Sequence, residues 1–340
     1  MFDYLIRRIL LMVPTLIGIT LVVFFIINLA PGSPIEQQLQ ALKFSGNAEQ
    51  ANSAAGSVSV NAEILDALKK QYGFDKPVHE RYWLWLKNLA VLDFGESFTY
   101  EEDVIDVIAS KFPVSLQFGI ASLILSYLIS IPLGVFKAIK HGSKFDYLSS
   151  FLLFLAYSIP GFMLAIVLIV FLAGGSFLDV FPIGGLYSDF YDEMNWWEQI
   201  LDRGYHFVLP LICYTIGSYT TLTMLMKNSL MEEIKKDYVR TAKAKGLSDK
   251  VVYFKHALRN ALIPIVTGLG GFLGVFFAGS LLLEKIFQLD GIGLLGFNSV
   301  LSRDYNVIMG LLAIQALLML IGNIISDIAY VIVDPRIDFK

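Results

Sequence analysis

Gly291, Gly293 and Gly296 stand in the G-x-G-x-x-G spacing that lets a backbone approach a dinucleotide pyrophosphate. That spacing has this meaning only between a strand and a helix. Here it follows an apolar run, so the glycines are expected to serve a tight loop returning toward a bilayer. No G-x-x-x-x-G-K-S/T occurs, so the chain has no phosphate loop with which to hydrolyse ATP itself. Neither H-E-x-x-H nor G-x-S-x-G is present. One cysteine excludes an intrachain disulfide and a multi-cysteine metal cluster, and four scattered histidines do little for metal binding. Asp327 is the one acid inside an apolar run, with Asn323 a turn before it. A charge at a bilayer centre costs about 2.5–3.5 kcal/mol, so the pair either faces a pore or makes a structural hydrogen bond or ion pair near the headgroups, the second being favoured. No catalytic, cofactor-binding or metal-binding constellation emerges, which argues against an enzyme.

The elements that must position these residues are membrane spans. Of the 340 residues, 56% are hydrophobic and only 16% charged, too greasy for a water-soluble domain. Ile9 to Ala30 runs 22 residues without a charge, roughly 33 Å as a helix, enough to cross a bilayer core. It ends in Asn28-Leu29-Ala30-Pro31-Gly32 rather than a signal-peptide cleavage site, so it reads as a retained first helix. Further runs lie at 114–136, 147–173, 207–226, 261–283 and 307–333, making six. Pro14, Pro132, Pro160 and Pro264, in or at the ends of these runs, are expected to bend them. The termini and the loops 137–146 and 227–260 hold 16 of the 26 Lys and Arg, while the opposite loops hold 21 of the 30 acids. Basic residues stay on the cytosolic side, so both termini are cytosolic.

Two extramembrane regions are large enough to have work of their own. Residues 31–112 on the outer side open with a small, polar stretch from Ser45 to Ser59. A helix capped by Asn61 follows up to Tyr72, and then a segment with Tyr82, Trp83 and Trp85. These aromatics read either as part of a small folded cap or as an interfacial belt. In the cytosolic stretch from Lys227 to Asn260, Leu230, Ile234 and Tyr238 recur every four residues. Gly246 is expected to cap a short helix there, and another helical stretch runs from Asp249 to Leu258. Composition leaves two readings, a structured helical pair or a basic amphipathic segment on the anionic inner leaflet. In the fifth run, Gly270, Gly274 and Ala278 offer a small-residue face for close helix packing.

The cytosolic stretch Asp237-Tyr238-Val239-Arg240-Thr241-Ala242-Lys243-Ala244-Lys245-Gly246-Leu247, followed by His256-Ala257-Leu258-Arg259-Asn260-Ala261-Leu262-Ile263-Pro264, resembles the EAA loop of ABC importer permeases of the dipeptide/oligopeptide/nickel family. Arg240, Thr241 and Ala242 stand where the general pattern has Glu-Ala-Ala, and Gly246 matches its glycine. Other matches are Ala30-Pro31-Gly32-Ser33-Pro34, Asp93-Phe94-Gly95-Glu96-Ser97, Leu282-Leu283-Glu284 with Gly291-Ile292-Gly293, Ser302-Arg303-Asp304-Tyr305 and Asp334-Pro335-Arg336-Ile337. Among the branches, Tyr72-Gly73-Phe74-Asp75-Lys76-Pro77, Ala173-Gly174-Gly175-Ser176 and the tail from Asp334 to Phe339 resemble the Yej-type permeases associated with microcin C and peptide uptake.

The resemblance implies an all-α membrane protein with the six-helix type I importer permease fold. Its expected parts are a cytosolic N-terminus and first helix (1–30), a periplasmic loop domain (31–112), a five-helix core (113–333) and a cytosolic tail (334–340). The core would include a cytosolic coupling loop at 228–258. The implied setting is the bacterial inner membrane. The implied partners are a second, homologous permease, ATPase subunits carrying ATP and magnesium, and a periplasmic substrate-binding protein. No nucleic acid is implied. Arg240, Thr241, Ala242, Lys243, Gly246 and Leu247 would couple the ATPases to the spans, and Tyr157, Tyr219, Thr220, Gln315 and Asn323 are candidate pathway-lining residues. The expected cargo is a peptide or peptide-like compound such as microcin C, with nickel or another solute as the alternative. A secondary transporter is the rival from another class. It would need a coupling-ion site, for which a single Asp in the spans is thin support.

Overall fold

The computed structural model describes residues 2–29, 75–175, 177–268 and 279–333. The expected helix from Asn61 to Tyr72, the Ser45–Ser59 stretch, the small residues from Gly270 to Ala278 and the tail from Asp334 lie outside these residues. Among the described residues the regular structure is helical, with one isolated antiparallel bridge between Glu96 and Asp103. The helices are α1 (Phe2–Leu29), α2 (Val78–Leu89), α3 (Val104–Ile139), α4 (Lys144–Ser158), α5 (Gly161–Leu172) and α6 (Trp196–Ile234). There follow α7 (Asp237–Ala244), α8 (Asp249–Val251), a π-helical turn (Val252–Ala257), α9 (Leu258–Ala261) and α10 (Ile263–Thr267). The last three are α11 (Leu281–Ile286), α12 (Ile292–Leu301) and α13 (Tyr305–Val333).

The described residues contain four helices, α1, α3, α6 and α13, long and apolar enough to cross a membrane, or five spans if α4 and α5 count as one. These take up the expected runs at 9–30, 114–136, 207–226 and 307–333; the run at 261–283 is interrupted by residues outside the description. The run at 147–173 differs from a single helix, because α4 and α5 meet at 94°. Pro160 has no N–H and sterically bars the α conformation from the residue before it. Ile159 is accordingly extended, with φ −93° and ψ 116°, and Pro160 opens α5. Pro14 and Pro132, by contrast, lie inside helices that continue past them.

The chain divides into two compact units. The first comprises Met1–Ile6, Phe112–Leu294 and Leu318–Lys340. One of its cores joins Val135 and Ala138 of α3, Met226 and Leu230 of α6 and Val239 of α7 to the return segment at Val252 and Ala257. Here α3 and α6 touch backbone to backbone: a Cβ at Gly134 would lie 2.6 Å from that of Met226, so only glycine fits. The other core gathers Phe118, Ala165, Leu209, Cys213, Leu283 and Phe287, with Phe118 stacked on Phe207 at 4.3 Å between centroids.

At the end of α3 the first unit holds a buried charge cluster. Lys137, wholly buried, approaches Asp146 Oδ1 at 3.1 Å and donates to Ser149 Oγ and Ser150 Oγ at 2.8 and 2.7 Å. Lys227 of α6 reaches both Asp146 oxygens at 2.7 and 2.8 Å. Asp146 sits in the first turn of α4, whose N-cap Ser143 accepts from the Asp146 N–H. Two cations thus converge on one carboxylate and pin three helix ends together. Also within this unit, Tyr4 Oη donates to Asp327 Oδ2 at 3.1 Å, in keeping with the structural reading of that acid.

The second unit comprises Arg7–Lys111 and Leu295–Leu317. Here α2 lies against α1. Tyr82 is buried against Phe24 and Met309, its hydroxyl 3.1 Å from Thr20 Oγ1, while Trp83 is exposed. The three aromatics therefore do not behave alike.

Candidate functional site

The segment that follows α6 is braced by side chains of its neighbours. α6 begins at a capping box, Asn195 accepting from the Trp197 and Glu198 N–H groups while Glu198 reaches back, and runs 39 residues to Ile234. The chain then turns at Lys235 and Lys236 into α7, the eight residues Asp237–Ala244. α7 ends in a Schellman arrangement: the Gly246 N–H donates to Lys243 O at 2.9 Å and the Leu247 N–H to Ala242 O at 3.4 Å. Gly246 has φ +81°, a left-handed backbone that glycine adopts without strain, so the capping glycine read from the sequence takes that place.

One face of α7 is anchored and the other is open. Val239 is buried among Met226, Leu230 and Val252, and each such aliphatic burial stabilises by about 1.5–3 kcal/mol. Ala242 is half-buried, whereas Arg240, Thr241, Lys243, Gly246 and Leu247 are exposed. Polar bonds fix both ends. Tyr238 Oη donates to Glu233 Oε2 at 2.6 Å and accepts from Asn260 Nδ2 at 3.2 Å, which ties α7 to the end of α6 and to α9. Burial, and then its bond to Glu233, pushes the Tyr238 hydroxyl pKa up to about 12. At the far end Lys243 bonds Tyr253 Oη at 2.9 Å and Asp249 at 2.8 Å, and these partners raise its pKa. Thr241 Oγ1 donates to Asp237 O at 2.9 Å, and Arg240 meets Asp237 in an exposed contact at 3.4 Å. Four of the six expected coupling residues lie on this short helix and the other two, Gly246 and Leu247, in its C-terminal cap. Tyr238 and Asn260 stand in the quoted motif, but their bracing role and that of Glu233 and Tyr253 were missed from sequence, since a side chain that braces a helix leaves no local pattern.

The candidate pathway residues are not brought together. Thr220 is buried and donates to Leu153 O at 2.8 Å, joining α6 to α4. Tyr219 and Asn323 are half-buried in the first unit, and Gln315 belongs to the second. Tyr157 is exposed at the end of α4, where the Pro160 bend opens a cavity of about 480 Å3 between α3, α6 and the start of α11.

Residues 130–339 match the family described as binding-protein-dependent transport system inner membrane component. The chain belongs to this family. It is 43% identical to the peptidoglycan transport system permease protein YejB of Agrobacterium fabrum, over 99% of this chain and 98% of that protein. It is likewise 43% identical to the inner membrane ABC transporter permease protein YejB of Escherichia coli O157:H7, over 99% of each. It is 36% identical to the oligopeptide transport system permease protein AppB of Bacillus subtilis, over the whole of both chains. Membership makes this chain a multi-pass inner-membrane transport component rather than an enzyme, and it implies ATPase and substrate-binding partners.

Within this permease, sequence-distant motifs meet. Glu284, buried, accepts from Ser115 Oγ at 2.9 Å and from the Leu294 N–H at 2.7 Å, and the Ile292 N–H donates to Ser115 Oγ at 2.8 Å. A Cβ on Gly279 or Gly291 would come within 2.6 Å of the Glu284 carboxylate and one on Gly293 within 3.1 Å, so the first two glycines of the G-x-G-x-x-G spacing pack against a carboxylate. In the second unit, Ser97 Oγ donates to Asp304 Oδ2 at 2.5 Å and the Thr99 N–H to the same oxygen at 3.0 Å, joining the Asp93–Ser97 and Ser302–Tyr305 motifs.

Proposed function

We propose that this chain is one of two homologous permease subunits of an ATP-driven importer for peptides or peptide-containing compounds, microcin C among them. Relatives named for peptidoglycan, oligopeptide and dipeptide transport align over essentially the whole chain, and this is the observation that carries the cargo class. In this reading the chain has six transmembrane helices, with both termini cytosolic, residues 31–112 in the periplasm and 113–333 as the membrane core. Periplasmic binding protein delivers cargo, and ATP with magnesium is used on the separate ATPases.

Arg240, Thr241, Ala242, Lys243, Gly246 and Leu247 form the contact through which the ATPases push. The exposed face of α7 supports this role, because a force applied to it passes into α6 and α9 through Val239 and Tyr238 rather than being absorbed by a slack loop. Tyr157, at the bend between α4 and α5, is the pathway candidate that the cavity favours.

The reading is tested in a strain from which this chain is deleted, supplied with labelled di- and oligopeptides and with microcin C. Uptake and microcin C sensitivity should be lost and should return with the wild-type chain. Undiminished peptide uptake in the deletion strain would overturn the cargo assignment.

A further inference from the structure

The cavity at the Pro160 bend has a chemistry that goes beyond a passage. Its described lining carries no Lys, Arg, Asp or Glu side chain. Instead it presents the hydroxyls of Ser122, Tyr157, Tyr214, Ser218 and Ser280. The Tyr214 hydroxyl is buried without a partner of hydrogen-bond geometry among the described residues, and it faces the Ser280 amide. Hydroxyls donate and accept alike, so a wall of them serves an N–H or a C=O equally. At about 480 Å3 the cavity falls within the range of small-ligand sites, roughly 300–1,000 Å3. Gly161 and Gly217 both line it. A Cβ on Gly161 would press on Cys213 O at 3.0 Å, while one on Gly217 would meet nothing within 4 Å and so would enter the free space.

We propose that this cavity is a subsite for the uncharged main chain of a peptide in transit, a proposal that rests on the peptide-import reading. A lining without charge cannot select cargo by the sign of its side chains, whereas hydroxyls recognise what all peptides share, the amide N–H and C=O. Ser122, Tyr214 and Ser218 then act as specificity-determining residues, admitting peptides of any charge and failing those whose amides are N-methylated.

The test is competitive uptake of a Lys-rich and a Glu-rich tripeptide by the complete transporter, with Gly217 changed to Asp, Lys or Ala. A charge placed in the lining attracts one sign of cargo and repels the other, so the Lys-rich to Glu-rich import ratio should rise on the order of tenfold with Gly217→Asp and fall similarly with Gly217→Lys. Gly217→Ala should leave it near the wild-type value. Equal ratios in the Asp and Lys variants, with uptake retained, would overturn the subsite while leaving peptide import standing. Absence of uptake by the wild type would instead overturn the import reading, and the subsite with it. Where a charged variant fails to reach the membrane, the wild-type transporter is trapped in turnover with a tripeptide bearing a benzophenone side chain. Adducts on residues 157–162 or 213–218 support the subsite, and adducts on this chain confined to other residues refute it.

Discussion

At the scale of single residues, Tyr238 shows how a side chain with no chemistry of its own braces a short helix. Its hydroxyl donates to Glu233 and accepts from Asn260, so Tyr238→Phe removes both bonds and leaves a buried carboxylate short of a donor. A hydrogen bond to a charged group is worth about 1.5–3 kcal/mol, and partial exposure of this one brings the expected loss to about 1 kcal/mol. The loss should appear as faster hydrogen exchange confined to α7 and the end of α6. Because the folded pKa of Tyr238 is raised to about 12, its contribution is complete below the unfolded value near 10 and is lost as pH rises from about 10 to 12. A phenolate difference titration between wild type and Tyr238→Phe should therefore place this hydroxyl near 12; a midpoint near 10 would remove the bond to Glu233 from the account. Gly291 makes the same kind of case in packing terms. A Cβ there would lie 2.6 Å from Glu284 Cδ and from Ser115 Oγ, so Gly291→Ala should cost about 1–3 kcal/mol in thermal unfolding of the detergent-solubilised protein.

At the scale of elements, the cluster of Lys137, Asp146 and Lys227 binds the ends of α3, α4 and α6. Removing one partner of a buried ionic group leaves uncompensated charge, so Asp146→Asn should destabilise by roughly 3–5 kcal/mol. Replacing all three by apolar residues of similar size should recover most of that loss in the same unfolding measurement, because no buried charge is then left alone. What was legible here depended on how local the cause is. The long apolar runs of α1, α3, α6 and α13 and the glycine at the end of α7 are readable because length, hydropathy and a left-handed turn are properties of neighbouring residues. The bend between α4 and α5 was half legible: Pro160 forecasts a break, but 94° also needs Gly161 seated against Cys213 O, a contact 52 positions away. The Glu284 cradle was legible only as a motif, since Gly279, Gly291 and Ser115 converge from separate parts of the chain.

At the scale of the whole molecule, the chain has the shape of a dependency in its sequence: spans without a phosphate loop, and an exposed basic helix joined to the longest of them. Transport class followed from the resemblance of residues 237–264, and family membership bears it out. Cargo class was not readable from composition and rests on the resemblance to named relatives. The central claim is that α7 transmits work done by other subunits. The most direct test is the ratio of peptide imported to ATP hydrolysed in proteoliposomes holding the complete transporter, compared between wild type and chains with Gly246→Asp or without Thr241–Gly246. With α7 broken, peptide accumulation should fall to background while ATP hydrolysis, where it persists, no longer responds to loaded binding protein. Wild-type accumulation by either variant would contradict the account.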